Sequence, residues 1–148
     1  MKKLIPIICI IFFGTVNSFA QNSASTQLSV QLNNIQSIKI NETQNDVTIA
    51  LNTAEEYANG KSTDQPDHIE IMSSSNYEIK VSASSNLISE NSSININTVS
   101  LTPTLGTIGT VPTGDILLSE TPLSIGDNTI VSSSQGDIQR SFNIKYRV

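Results

Sequence analysis

The sequence contains no tryptophan, one cysteine and one histidine, and aromatic residues fill only 5% of its 148 positions. Each shortage removes a class of function. A His-based metal centre usually takes two or more histidines, and a catalytic triad needs a nucleophile beside its base. No Gly-x-Ser-x-Gly elbow, P-loop or zinc-type spacing occurs. Paired carboxylates can hydrolyse a glycoside, but here the carboxylates are scattered over turns and few aromatics remain to stack on sugar. Charged residues make up 14% of the chain, against about 25% in an average protein. Lys+Arg 8 against Asp+Glu 13 is a poor balance for nucleic acid, because phosphate neutralisation needs clustered cations. The residues predict no catalytic site, cofactor or metal, and the chain does not read as an enzyme.

The first twenty residues form a separate segment. Lys2 and Lys3 precede an apolar run from Leu4 to Phe13, and Ser18-Phe19-Ala20 is a small-x-small cleavage site. This is the pattern of a secretory signal peptide. The run is about ten residues, whereas a membrane helix needs about 20. A lipoprotein signal at Cys9 does not fit, since Pro6-Ile7-Ile8 lacks a small residue before it. Cleavage leaves 148 − 20 = 128 residues, 21–148, with a charge of 6 − 13 = −7 and no cysteine. The expectation is one exported domain without disulfides or a membrane span, stabilised by its core. Ile, Val and Leu supply 16, 7 and 9 of those residues, and Phe142 is the only phenylalanine left.

Ser, Thr, Asn and Gln make up about 40% of the chain, and such side chains compete with helix for the backbone. β-branched residues alternating with polar ones predict strands. The alternation marks 28–32, 38–40, 47–51, 69–71, 77–83, 94–96 with an extension to Leu101, 116–118, 130–131 and 142–148. Val47, Ile49, Leu51, Ile69, Ile71, Tyr77, Ile79, Val81, Phe142, Ile144 and Tyr146 are the expected core. Thr53-Ala54-Glu55-Glu56 is a capping box that predicts one short helix over 53–58. Gly/Asn/Asp clusters and two Ser-Ser-Ser runs, 73–75 and 132–134, supply the turns. Eight or nine short strands with one apolar face predict an all-β fold: two antiparallel sheets packed as a sandwich, with a small barrel as the rival.

Three smaller signals stand apart. His68 reads as a solvent-facing strand residue after an Asp64-Gln65-Pro66-Asp67 turn. Asp64, Asp67 and Glu70 are the densest acidic group; hard oxygens suit calcium, though the spacing does not match an EF-hand. Asn41-Glu42-Thr43 and Asn91-Ser92-Ser93 match the glycosylation sequon, a short match in an Asn/Ser-rich chain.

The two ends of the exported part carry the functional expectation. Leu28, Val30 and Leu32 alternate close to the new N-terminus, then the phase breaks at Asn33-Asn34. A phase break accompanies a bulge or a strand that changes sheets. It also suits a detachable strand that pairs with the open sheet edge of another subunit. Phe142, Ile144, Tyr146 and Val148 form the cleanest alternation, expected to be a C-terminal edge strand.

In this layout the chain resembles fimbrial subunits, namely chaperone–usher pilins and spore-coat-U-like secreted domains of Gram-negative bacteria. Tyr146 stands third from the end and Gly136 ten positions before it, where chaperone–usher pilins carry Tyr next to last and Gly about a dozen positions earlier. The resemblance implies an Ig-like, pilin-like sandwich that passes through the periplasm to the cell surface or an extracellular fibre. It implies a structural pilus subunit that self-associates or joins related subunits, with an assembly chaperone. The alternative is a surface or periplasmic adhesin that binds carbohydrate or protein.

Overall fold

Strand-forming sequence is closed off at short intervals by polar corners, and among the described residues strands are the dominant regular structure. The computed structural model describes residues 27–89, 92–109 and 116–148. The expected signal segment 1–20 lies outside them. The chain divides into a unit Met1–Gln31 and a unit Leu32–Val148; the sheets belong to the second.

The larger sheet is built from β1 (Gln36–Ile40), β2 (Ser62–Ser73), β10 (Asp137–Arg147), β6 (Ser100–Leu105) and β8 (Thr121–Pro122), in that order across the sheet. The smaller one is β3 (Tyr77–Val81), β9 (Asn128–Ser133) and β7 (Ile116–Leu118). All these pairings are antiparallel. A separate hairpin joins β4 (Leu87–Ser89) to β5 (Ser92–Ile94). Ile69, Ile71, Leu101, Phe142 and Ile144 from the larger sheet meet Ile79, Ile130 and Val131 from the smaller, and together form the buried core. The fold is an all-β sandwich with one short helix, as the alternation predicts.

Helix α1 (Ala54–Asn59) starts where the capping box places it. The Thr53 hydroxyl accepts from Glu56 N at 3.2 Å, and Glu56 Oε2 accepts from Thr53 N at 3.2 Å. This reciprocal arrangement satisfies two of the donors that every helix N-terminus leaves over.

The two serine runs cross between the sheets. After β2, the Ser73 hydroxyl donates to Ser75 O at 2.7 Å and accepts from Ser75 N at 3.3 Å. After β9, Ser133 does the same with Gln135, at 2.9 and 3.3 Å. One corner sends the chain from the larger sheet to the smaller, and the other returns it. Gly136 lies where they touch: a Cβ there would sit 2.7 Å from the Ser73 carbonyl oxygen.

Several expectations need correction. Residues 47–51 form no strand; Val47, Ile49 and Leu51 alternate half-buried, but no neighbouring strand takes their backbone hydrogen bonds. Tyr77, Val81 and Tyr146 pack against the core while only half-buried. The C-terminal strand is not an edge. β10 lies between β2 and β6 and pairs with both, and its clean alternation is that of a strand covered on one face along its length.

The predicted turn at 64–67 lies inside β2, where a bulge does the bending. Gln65 pairs with Ile144 and Ile69 with Phe142, so Pro66, Asp67 and His68 stand opposite Asn143 alone. Asp67 takes the left-handed conformation, φ 46°, which Asp tolerates better than most residues. Asn143 Oδ1 accepts its backbone N–H at 2.8 Å. The bulge also tolerates Pro66, which lacks a ladder donor.

Candidate functional site

Five strands in one sheet face three in the other, and the mismatch leaves one flank open. Ile38 pairs with Ile71, and Ile40 with Ile69, so all four side chains share the inward face of their sheet. Ile69 and Ile71 are buried, yet Ile38 stays 60% exposed and Ile40 40%. β3, the outer strand of the smaller sheet, carries no second strand neighbour among the described residues. Between the two edges runs a groove of about 270 Å³, with Ile38, Ile71, Tyr77 and Ile79 in its walls. Small-molecule pockets run to about 300–1,000 Å³, so this groove suits a row of side chains better than a ligand.

The predicted donor segment takes no part in a sheet. Residues 27–35 adopt no regular structure, and Leu28, Val30 and Leu32 are 85%, 69% and 90% exposed. Ile35, at the end of this segment, donates its N–H to Ser74 Oγ at 2.9 Å, and its carbonyl accepts from Ser74 N at 2.9 Å. Ser74 belongs to the corner between β2 and β3, beside the groove.

No protein-family model, curated protein or solved structure matches the chain. The resemblance to fimbrial subunits therefore extends to a generic sandwich and stops there. No helix among the described residues is long and apolar enough to cross a membrane.

The acidic residues are not gathered. Asp64 faces Lys145 at 3.7 Å on the exposed surface. Glu70 accepts from Gln139 Nε2 at 2.7 Å. Asp67 accepts from the Ser141 hydroxyl, the Thr107 hydroxyl and Thr107 N. These donors, Ser141 first, hold its carboxyl below the ordinary Asp range. A carboxylate satisfied in this way fastens the 106–109 loop to the bulge, and Gly106 is required because a Cβ there would strike Ser141 Oγ and Asp67 Oδ1. Among the described residues no group of three His, Cys, Asp or Glu side chains could hold a metal ion. Asn41 caps a single 3-10 turn, its Oδ1 accepting from Thr43 N and the Thr43 hydroxyl; Asn91 lies outside the described residues.

His68 is buried, 4% exposed, not solvent-facing. Gln44 Nε2 donates to Pro66 O at 2.9 Å, which turns Gln44 Oε1 toward His68 Nδ1 at 3.0 Å. Nδ1 therefore carries the proton, and Nε2 accepts from the Tyr146 hydroxyl at 3.0 Å. Burial lowers the His68 pKa below its usual value. Protons then bind the unfolded chain first, so stability is full above about pH 6.5 and falls as pH drops through the folded-state pKa. Urea midpoints should decline from pH 7.5 to 5.5, and His68→Asn should flatten that decline. An equal slope in both proteins would remove His68 as the cause. The Asp67 and Glu56 carboxyls, both lowered, act in the same direction only at more acid pH.

Sequence reasoning found the residues of the groove but not the groove. Ile38, Ile71, Tyr77 and Ile79 each read as ordinary strand positions, because an open flank arises from a mismatch in strand number between sheets and leaves no local pattern.

Proposed function

We propose that the chain is an exported structural subunit of an extracellular surface fibre, assembled by β-strand addition. Leu28, Val30 and Leu32 are the strand given to a neighbour. One observation carries the reading: three alternating aliphatic side chains stand exposed on a segment that belongs to no sheet among the described residues. Such a strand is an aggregation hazard unless a sheet edge receives it. The adhesin alternative is weaker, because sugar recognition favours exposed aromatics and Tyr57, 72% exposed, stands alone among the described residues.

The test is native mass measurement on the exported chain, residues 21–148. A ladder of integer multiples is expected, and Val30→Asp should abolish it while the monomer keeps its β circular dichroism. A charge without a partner is strongly unfavourable inside an apolar groove but costs little on an exposed segment. A wild-type protein that stays monomeric, and that unfolds when 21–33 are deleted, would place the segment in its own sandwich and end the fibre reading. Export predicts Gln21 as the first residue of the secreted product; intact Met1 in membranes would contradict it.

A further inference from the structure

We infer that the acceptor for this strand is the flank between β1 and β3, where the 28–32 segment of a second copy becomes a fourth strand of the smaller sheet. The inference rests on the strand-addition reading, and β10 does not compete as an acceptor, since it already has a neighbour on each side.

Six described strands are edges, and β4 and β5, three residues each in a separate hairpin, are too short for the role. β8 is two residues long and β7 three, too short to hold a five-residue donor by main-chain bonds. A strand added outside β1 would extend the larger sheet and leave Ile38 and Ile40 as uncovered as before. β3 alone offers both a long enough edge and an apolar floor. It presents Tyr77, Ile79 and Val81 inward and Glu78 and Lys80 outward, three apolar positions over five residues. Leu28, Val30 and Leu32 repeat that pattern over five residues of their own. Both stretches are about 17 Å when extended. Laid beside β3, the donor turns its three aliphatic side chains under Ile38 and Ile40, the two core-facing residues that nothing covers. Charge is compatible: 27–34 contains no charged residue, and Glu78 in the groove lining is exposed on the outer face.

Disulfide trapping tests the inference cleanly, because the exported chain has no cysteine. Chains carrying Ser29→Cys or Gln31→Cys are mixed with chains carrying Glu78→Cys or Lys80→Cys and oxidised. Single substitutions on separate chains report only links between copies. A disulfide dimer is expected for at least one pairing, and none with Leu117→Cys on β7 or Ile138→Cys on β10. Ile38→Asp gives a second readout. It sits on a wall exposed enough for the monomer to fold, and it should remove the mass ladder. If the wild-type ladder forms but links appear only at Leu117, or Ile38→Asp polymerises normally, the acceptor lies elsewhere and strand addition stands. If the wild-type protein neither polymerises nor cross-links, the strand-addition reading itself fails.

Discussion

Phe142→Ala is expected to lower the unfolding free energy by about 3–5 kcal/mol, the range for emptying a buried aromatic site. Phe142 is 0% exposed. Its strand is hydrogen-bonded on both sides, with Ile69 opposite on β2 and Leu105 on β6. No other aromatic ring belongs to the buried core cluster. The surrounding core is largely β-branched, and such side chains are stiff at χ1, so the cavity has few means of collapse. Urea denaturation is the measurement, with the midpoint falling and the slope unchanged. Ile138→Ala, at an 85% exposed position of the same strand, should change stability by less than about 0.5 kcal/mol. A loss below about 1 kcal/mol for Phe142→Ala would place the ring outside a packed core.

Asp137→Ala is expected to cost about as much, roughly 3–5 kcal/mol, for the opposite physical reason. Arg140 is buried, 4% exposed, and its Nε meets Asp137 Oδ2 at 2.8 Å. The same oxygen accepts from the Tyr77 hydroxyl at 2.9 Å. Burial, and then the bond to Asp137, push the Tyr77 hydroxyl well above its ordinary pKa. Removing the carboxylate takes an ion-pair partner from a buried guanidinium and an acceptor from the Tyr77 hydroxyl, and breaking one side of a buried pair costs more than the intact pair contributes. Replacing both partners, Asp137→Ala with Arg140→Met, should recover much of the loss. A double variant no more stable than Asp137→Ala alone would show that packing rather than charge sets the cost. Tyr77 also lines the groove between β1 and β3, so, if the proposed strand addition uses that groove, Asp137→Ala should weaken it as well as folding.

What the sequence made legible followed physical locality. The capping box at Thr53 and Glu56 is a four-residue device, and the helix begins where it stands. Ile69, Ile71, Ile79, Phe142 and Ile144 were readable as core because period two alone assigns a face. Leu101, Ile130 and Val131 were readable only as strand, not as core, because short runs have no clear period. His68 and Asp67 were misread because the bulge that buries one and bends the other is created by pairing with β10, about 75 residues away; the His68–Tyr146 contact spans 78 positions. The C-terminal strand was misplaced for the same reason, since alternation specifies a face and not a neighbour. The alternation of Leu28, Val30 and Leu32 was legible, but not that the segment stands outside the sheets, and the groove between β1 and β3 left no local pattern.

The central place of β10 also governs how the molecule comes to exist. Every other described strand precedes it in the chain, yet the larger sheet cannot be joined until it arrives between β2 and β6. Folding is therefore a late, long-range event, and non-local β topologies of this kind close in milliseconds to seconds rather than microseconds. During synthesis β1 and β2 form at most a lone hairpin, which is marginal in water. A chain in that condition stays incompletely folded until β10 is available to join β2 and β6. The same delay exposes aliphatic edges for longer, and the abundant serine, threonine and asparagine between them keep those edges dilute.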